Sequence, residues 1–131
     1  MACEPDLESR LVRGTWPGQL ELRQGPFTEA DFTSLPPADW TLLVQALDQW
    51  LPEIAALRQC FTFIPSWRLD DVMVSYATAG GTVGPHWDNY DVFLIQGSGS
   101  RRWQVGKRCT AATFSDTSSG LSLLREFTPD M

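Results

Sequence analysis

The tripeptide His86-Trp87-Asp88 carries residue types and a spacing suited to metal chemistry. In an extended backbone, side chains two apart project to one face, so His86 and Asp88 can converge while Trp87 turns away. An imidazole and a carboxylate offered together are two of the three ligands of the 2-His-1-carboxylate facial triad. That triad holds Fe(II) and leaves coordination positions open. A neutral His86 would donate a ring nitrogen, and Asp88 would lower the charge on the metal. Gly80, Gly81, Gly84 and Pro85 precede the pair and let the chain turn sharply into it. By itself, however, His-x-Asp also describes a histidine at a loop-to-strand junction beside a solvated aspartate.

Elements on either side must position the pair. The apolar run Val92-Phe93-Leu94-Ile95 reads as a buried strand over 91–96 that could anchor it. Gly97-Ser98-Gly99 is a tight-turn signal, and Arg102 to Val105 would return as the second strand of a hairpin. Arg101 and Arg102 then follow the metal segment by one hairpin. Either guanidinium could give a carboxylate a planar, two-pronged contact. The alternative is a solvated basic cluster shared with Lys107 and Arg108. Upstream, Asp71 to Ala77 alternates as a strand, with Val72, Val74 and Tyr76 on one side and Met73 and Ser75 on the other.

Nearer the start, short apolar alternations from Arg10 to Arg23 around Gly14 and Pro17-Gly18 predict a β-hairpin. A helical turn capped by Thr28 follows and ends at Pro36-Pro37. Asp39 is a good N-cap, and Leu42, Leu43, Ala46, Leu47 and Trp50 recur at helical spacing, so a helix is expected from Asp39. Pro52 would open a second helix through Ile54, Ala55 and Leu57. Phe61 to Trp67, with Pro65, reads as an irregular edge segment. The Ser-, Thr- and Ala-rich stretch from Cys109 to Ser119 reads as loop, and Leu121 to Phe127 as the start of a strand.

Bulk properties narrow the classes. At 131 residues the chain fits one domain, and 43% hydrophobic residues suffice for a core. No apolar run approaches the ~20 residues that span a bilayer, and no signal peptide is visible. Cys3, Cys60 and Cys109 are odd in number and widely spaced, which fits reduced thiols better than a disulfide or zinc site. A net charge of −6 argues against general nucleic-acid affinity and favours basic partners.

The long pattern from Gly81 through Gly84-Pro85-His86-x-Asp88-x-Tyr90-Asp91-Val92-Phe93 to Gln96-Gly97, continued by Gly99-Ser100-Arg101-Arg102-Trp103-Gln104-Val105-Gly106, resembles the metal-binding region of the bacterial ribosomal oxygenases. The likeness extends upstream through Asp39-Trp40-Thr41-Leu42-Leu43-Val44-Gln45-Ala46 and Trp67-Arg68-Leu69-Asp70-Asp71-Val72-Met73-Val74-Ser75, covering about residues 7 to 107. These are JmjC-type, cupin-fold dioxygenases. The resemblance implies a mainly β fold with N-terminal helices, a partial double-stranded β-helix. It divides the chain into a hairpin and loop segment (1–38), a helical segment (39–58) and the first part of the barrel (59–131).

It also implies Fe(II) held by His86 and Asp88, with 2-oxoglutarate as co-substrate. In the family pattern the first arginine of Arg-Arg-Trp contacts that co-substrate, which selects Arg101. The implied reaction is hydroxylation of an arginine on a large-subunit ribosomal protein in the cytoplasm, by an enzyme that is a homodimer at full length. Asp70, Asp71, Asn89 and Tyr90 lie near the site in sequence and are equally well read as structural. The chain has a single histidine, and the family's second metal histidine lies beyond Met131, so an incomplete, weakly active member is expected. Three other readings compete: a catalytically inactive cupin-like binding module, a ribosomal protein histidine hydroxylase, and a small-molecule cupin.

Overall fold

The computed structural model describes residues 1–110, 115–116 and 123–130. They fall into two compact units, Met1–Thr82 and Val83–Met131.

The first unit is built on a four-stranded antiparallel sheet of order β2-β1-β3-β4. Strands β1 (Ser9–Gly14) and β2 (Leu20–Gln24) form the expected hairpin, with Leu11 opposite Arg23 and Val12 opposite Leu22. On the other side of β1 lies β3 (Trp40–Val44), where Leu11 meets Leu42 and Val12 meets Thr41. Strand β4 (Val74–Ala77) completes the sheet along β3 and begins three residues later than the alternation from Asp71 suggested. Leu7, Leu11, Phe27, Val44 and Leu47 make the core, with Phe32, Leu35, Leu51 and Ile54 packed against it.

A short helix, α1 (Glu29–Thr33), starts at the expected cap. The Thr28 hydroxyl accepts from the Asp31 N–H at 3.3 Å, and the Asp31 carboxylate accepts the Thr28 N–H at 2.8 Å. Two orphan donors of the first turn are thereby satisfied. Helix α2 (Pro52–Gln59) has its proline in the first turn, where the missing N–H costs nothing. Phe61 to Trp67, expected to be irregular, forms turns and runs into a 3₁₀ turn at Ser66–Arg68.

The helix expected from Asp39 does not form, and β3 takes its place. Asp39 and Ala46 both have positive φ, 63° and 54°, and so bracket the segment with backbone that no α-helix can continue. Between them Trp40, Thr41 and Val44 favour a pleated, buried surface, and two flanking strands supply ladder partners. The helical spacing arose because Leu47 belongs to a 3₁₀ turn, Leu47–Gln49, that follows the strand.

One ion pair ties this turn to the lead-in of β4. Asp48 is buried; its Oδ2 accepts from Arg58 at 3.0 Å, and its Oδ1 accepts the Val72 N–H at 2.9 Å. Arg58 also donates to the Leu69 carbonyl at 2.7 Å, and the Leu47 N–H donates to the Val72 carbonyl at 3.0 Å. At its other end β4 is pinned to Trp40. The Thr78 hydroxyl donates to the Trp40 carbonyl at 3.1 Å, and the Thr78 N–H donates to the same oxygen. Gly81 then passes so close that a Cβ would collide with the Trp40 carbonyl oxygen. The glycine is needed here for closeness of approach, because Trp40 lies in an interior strand that cannot retreat.

The second unit is held by short antiparallel pairings. Strands β5 (Ser115–Asp116) and β6 (Leu123–Leu124) pair with each other, His86 bridges to Leu123, and Gly106 bridges to Pro129. The buried strand expected over 91–96 is not found: Val92, Phe93, Leu94 and Ile95 are 54–58% exposed and form no strand among the described residues. Arg102 to Val105 likewise forms no hairpin strand. An apolar run becomes a strand only when a neighbour takes up its ladder hydrogen bonds, and among the described residues this run joins no sheet. Ser115–Asp116 is a strand within the stretch expected as loop, because it pairs with β6, whereas β6 lies in the strand expected from Leu121 to Phe127; residues 111–114, 117–122 and 131 lie outside the described set. Cys3, Cys60 and Cys109 are unpaired, and no helix among the described residues is long and apolar enough to cross a membrane.

Candidate metal centre

The segment leading to His86 turns at Gly84, whose φ of +75° is readily adopted only by glycine. Beyond it the backbone is fixed at two points. The Pro85 carbonyl accepts the Leu124 N–H at 2.9 Å, and His86 itself bridges to Leu123. His86 is a single antiparallel bridge position outside the named strands. His86 and Asp88 share a side, with Nε2 and Oδ2 3.7 Å apart. Trp87 turns elsewhere; its indole nitrogen is buried, without a hydrogen-bond partner among the described residues.

At 3.7 Å the two groups are beyond hydrogen-bonding distance of each other. Nitrogen and oxygen ligands sit about 2.0–2.2 Å from a small transition-metal ion, so one ion can touch both atoms. The other ring nitrogen also fits that use. His86 Nδ1 lies 2.9 Å from the Gly84 carbonyl oxygen. A carbonyl only accepts, so Nδ1 carries a proton, and in the neutral ring the Nε2 lone pair faces Asp88. Metal-binding histidines characteristically donate their second ring N–H to such an acceptor. The donor set present therefore suits a cation. It supplies two ligands, and no group of three or more His, Cys, Asp or Glu that could hold a metal occurs among the described residues. Both side chains are more than a third exposed, at 37% and 38%.

Arg101 lies over the ring of Trp103, its guanidinium carbon 5.9 Å from the ring centroid, a cation–π contact. Among the described residues it makes no ion pair or hydrogen bond to His86 or Asp88, so the structure brings the metal pair together and seats Arg101 against an aromatic face instead. Arg102, Lys107 and Arg108 are exposed. Of the residues near the site in sequence, Asp71 is engaged elsewhere: its Oδ2 accepts the Ala46 N–H at 2.6 Å and stabilises the left-handed turn there. Sequence reasoning missed the Gly84 carbonyl as a partner of His86. The signal was the glycine two residues before the histidine, read only as a source of flexibility.

A family model for the JmjC domain matches residues 56–131. A probable ribosomal oxygenase of Haemophilus influenzae is 50% identical over 113 residues, which are 86% of this chain and 28% of that protein. Ribosomal protein uL16 3-hydroxylase of Escherichia coli is 46% identical over 108 residues, 82% of this chain and 28% of that protein. The chain thus spans little more than a quarter of the length of these curated relatives. A solved structure of Escherichia coli YcfD superposes with a TM-score of 0.89 at 40% identity, covering 99% of this chain and 34% of that one. A second, described as the ribosomal oxygenase YcfD in complex with cobalt and 2-oxoglutarate, gives a TM-score of 0.82 at 40% identity over 99% of this chain and 32% of that one. The mainly β, JmjC/cupin-type fold expected from the sequence is the fold observed.

Proposed function

This chain belongs to the JmjC-domain family, and from that membership we propose a 2-oxoglutarate- and Fe(II)-dependent oxygenase that hydroxylates a large-subunit ribosomal protein. The observation that carries the reading is the convergence of His86 Nε2 and Asp88 Oδ2, with Nδ1 of the same ring donating to Gly84. Relatives named as a ribosomal oxygenase and a uL16 3-hydroxylase, and a relative's structure with cobalt and 2-oxoglutarate, support the class of reaction and the co-substrate. Arginine is the side chain we assign as the target, in a cytoplasmic protein that is a homodimer at full length.

His86 and Asp88 would hold the iron, which would supply the activation of O2 needed to oxidise a C–H bond. Asp88 offsets the metal's charge, and His86 presents a lone pair whose direction is set by the Gly84 carbonyl. Arg101 would bind the distal carboxylate of 2-oxoglutarate through its two parallel N–H donors. To do so it has to leave the Trp103 face or grip the carboxylate from there. The single histidine of the chain supplies one imidazole, so a two-histidine site draws its second from outside these 131 residues.

Mass spectrometry of ribosomal proteins tests the assignment. Cells carrying the intact gene should show a mass gain of one oxygen on an arginine of uL16, lost when His86 is replaced by alanine. Modification on histidine, or none, overturns the arginine assignment. The isolated chain should form little succinate; iron-dependent succinate formation matching that of a longer relative would contradict the need for a second imidazole.

A further inference from the structure

We propose that Gly84 is the positioning residue of the His86–Asp88 pair, and that its carbonyl fixes the tautomer which turns Nε2 toward the metal. The inference rests on the metal reading above and adds to it a specific role for a backbone group.

Three observations carry it. Gly84 has a φ of +75°, so its carbonyl is presented by a conformation that side-chain-bearing residues rarely adopt. That carbonyl oxygen lies 2.9 Å from His86 Nδ1, and because it can only accept, it selects the Nδ1–H form. Between them, Pro85 has a φ locked by its ring and a carbonyl held by the Leu124 N–H at 2.9 Å, so the backbone joining the two residues is fixed. The imidazole is thus tethered from one side by backbone, while its other nitrogen faces Asp88 Oδ2 at 3.7 Å. Without the tether the ring is free to exchange tautomers and rotate, and a metal would have to select the competent form at a cost in affinity.

Because the chain has one histidine, its imidazole nitrogens can be assigned without ambiguity. The test is a long-range 1H–15N correlation spectrum of the labelled chain at about pH 9, where imidazoles are neutral, followed by titration with Co(II) in a separate sample at about pH 7, where the ion stays dissolved. Wild-type protein should show Nδ1 protonated and Nε2 bare. Gly84→Asn, which tolerates left-handed backbone, should keep that pattern; Gly84→Val, which does not, should lose it and bind Co(II) at least about tenfold more weakly. A wild-type imidazole protonated at Nε2, or an even mixture of the two forms, overturns the role of Gly84 whether or not Co(II) binds. So does a Gly84→Val protein with unchanged tautomer and unchanged Co(II) affinity. The wild-type spectrum decides the matter even if the valine variant does not fold. An Nδ1–H imidazole whose signals millimolar Co(II) leaves untouched would instead overturn the metal reading of the pair.

Discussion

His86 Nε2 and Asp88 Oδ2 stand 3.7 Å apart, too far for a hydrogen bond and close enough for a single cation to touch both. Among the described residues neither atom makes a hydrogen bond to the rest of the fold, and the ring is held through Nδ1 instead. Replacing either residue should therefore change metal binding and leave stability nearly untouched. His86→Ala and Asp88→Ala are each expected to weaken Co(II) binding at least about tenfold, by analogy with the smaller losses seen when outer partners are removed. Paramagnetic broadening in 1H–15N spectra measures the binding, and urea unfolding measures stability. A broadening pattern unchanged in both variants would show that the pair is not the metal site.

The second expectation concerns Arg101. A charge-assisted, two-pronged contact to a carboxylate contributes about 1.5–3 kcal/mol, which is roughly tenfold to a hundredfold in affinity. In the full-length protein, Arg101→Ala should raise the KM for 2-oxoglutarate by that factor, with a smaller effect on kcat. Arg101→Lys should recover only part of it, because an ammonium cannot offer a parallel pair of donors. Arg102→Ala serves as the neighbouring control. Equal effects from the two arginines would return Arg101 to the solvated basic cluster and to its contact with Trp103.

The parts of this molecule that could be read from sequence are those whose physics is local. The spacing of two between His86 and Asp88, the Thr28 cap, Pro52 in the first turn of α2, and the hairpin around Gly14 all depend on neighbours within a few residues. Strand β3 was misread because its identity is set by β1 and β4, which are distant in sequence, and by left-handed backbone at Asp39, which was read as an N-cap instead, and at Ala46, a residue type that does not advertise it. Val92 to Ile95 fails in the opposite sense. Its composition asks for burial that the described residues do not supply, so apolarity alone suggested a strand where they form no ladder. The Asp48–Arg58 pair joins residues ten apart through a buried carboxylate, and nothing in either residue's immediate neighbours marks it.

That pair supplies a stability prediction. Asp48→Ala removes the acceptor for both Arg58 and the Val72 N–H, leaving a partly buried guanidinium and a backbone donor unsatisfied. Breaking a fully buried pair costs about 3–5 kcal/mol, and Arg58 is about a third exposed, so roughly 2–3 kcal/mol is expected. Arg58→Lys should be milder but not silent, since one ammonium must replace separate donors to Asp48 and to the Leu69 carbonyl. Because the pair ties the turn after β3 to the lead-in of β4, amide exchange should accelerate at Val72 and along Val74–Ala77 before it does in β1. Uniform acceleration across the sheet would mean that the pair stabilises the unit only globally.

The capping box of α1 yields a pH dependence. The Thr28 hydroxyl, then the Thr28 N–H, then the Arg23 guanidinium hold the Asp31 carboxyl well below the usual carboxylate range. A group whose folded value is depressed contributes stability that is complete above its unfolded value, about 3.9, and disappears as pH falls through the folded one. The contribution of Asp31 should thus be intact at pH 5 and decline steadily below about pH 4. Carboxyl 13C shifts followed from pH 7 to 2 should keep Asp31 ionised after the other aspartates have titrated. Thr28→Ala should move its midpoint upward more than Arg23→Ala does, following the order of the causes. Added salt should narrow the Arg23 effect, which acts through an exposed ion pair, and spare that of Thr28, which acts through short hydrogen bonds. An Asp31 midpoint that coincides with those of the exposed aspartates would show that the box does not persist in solution.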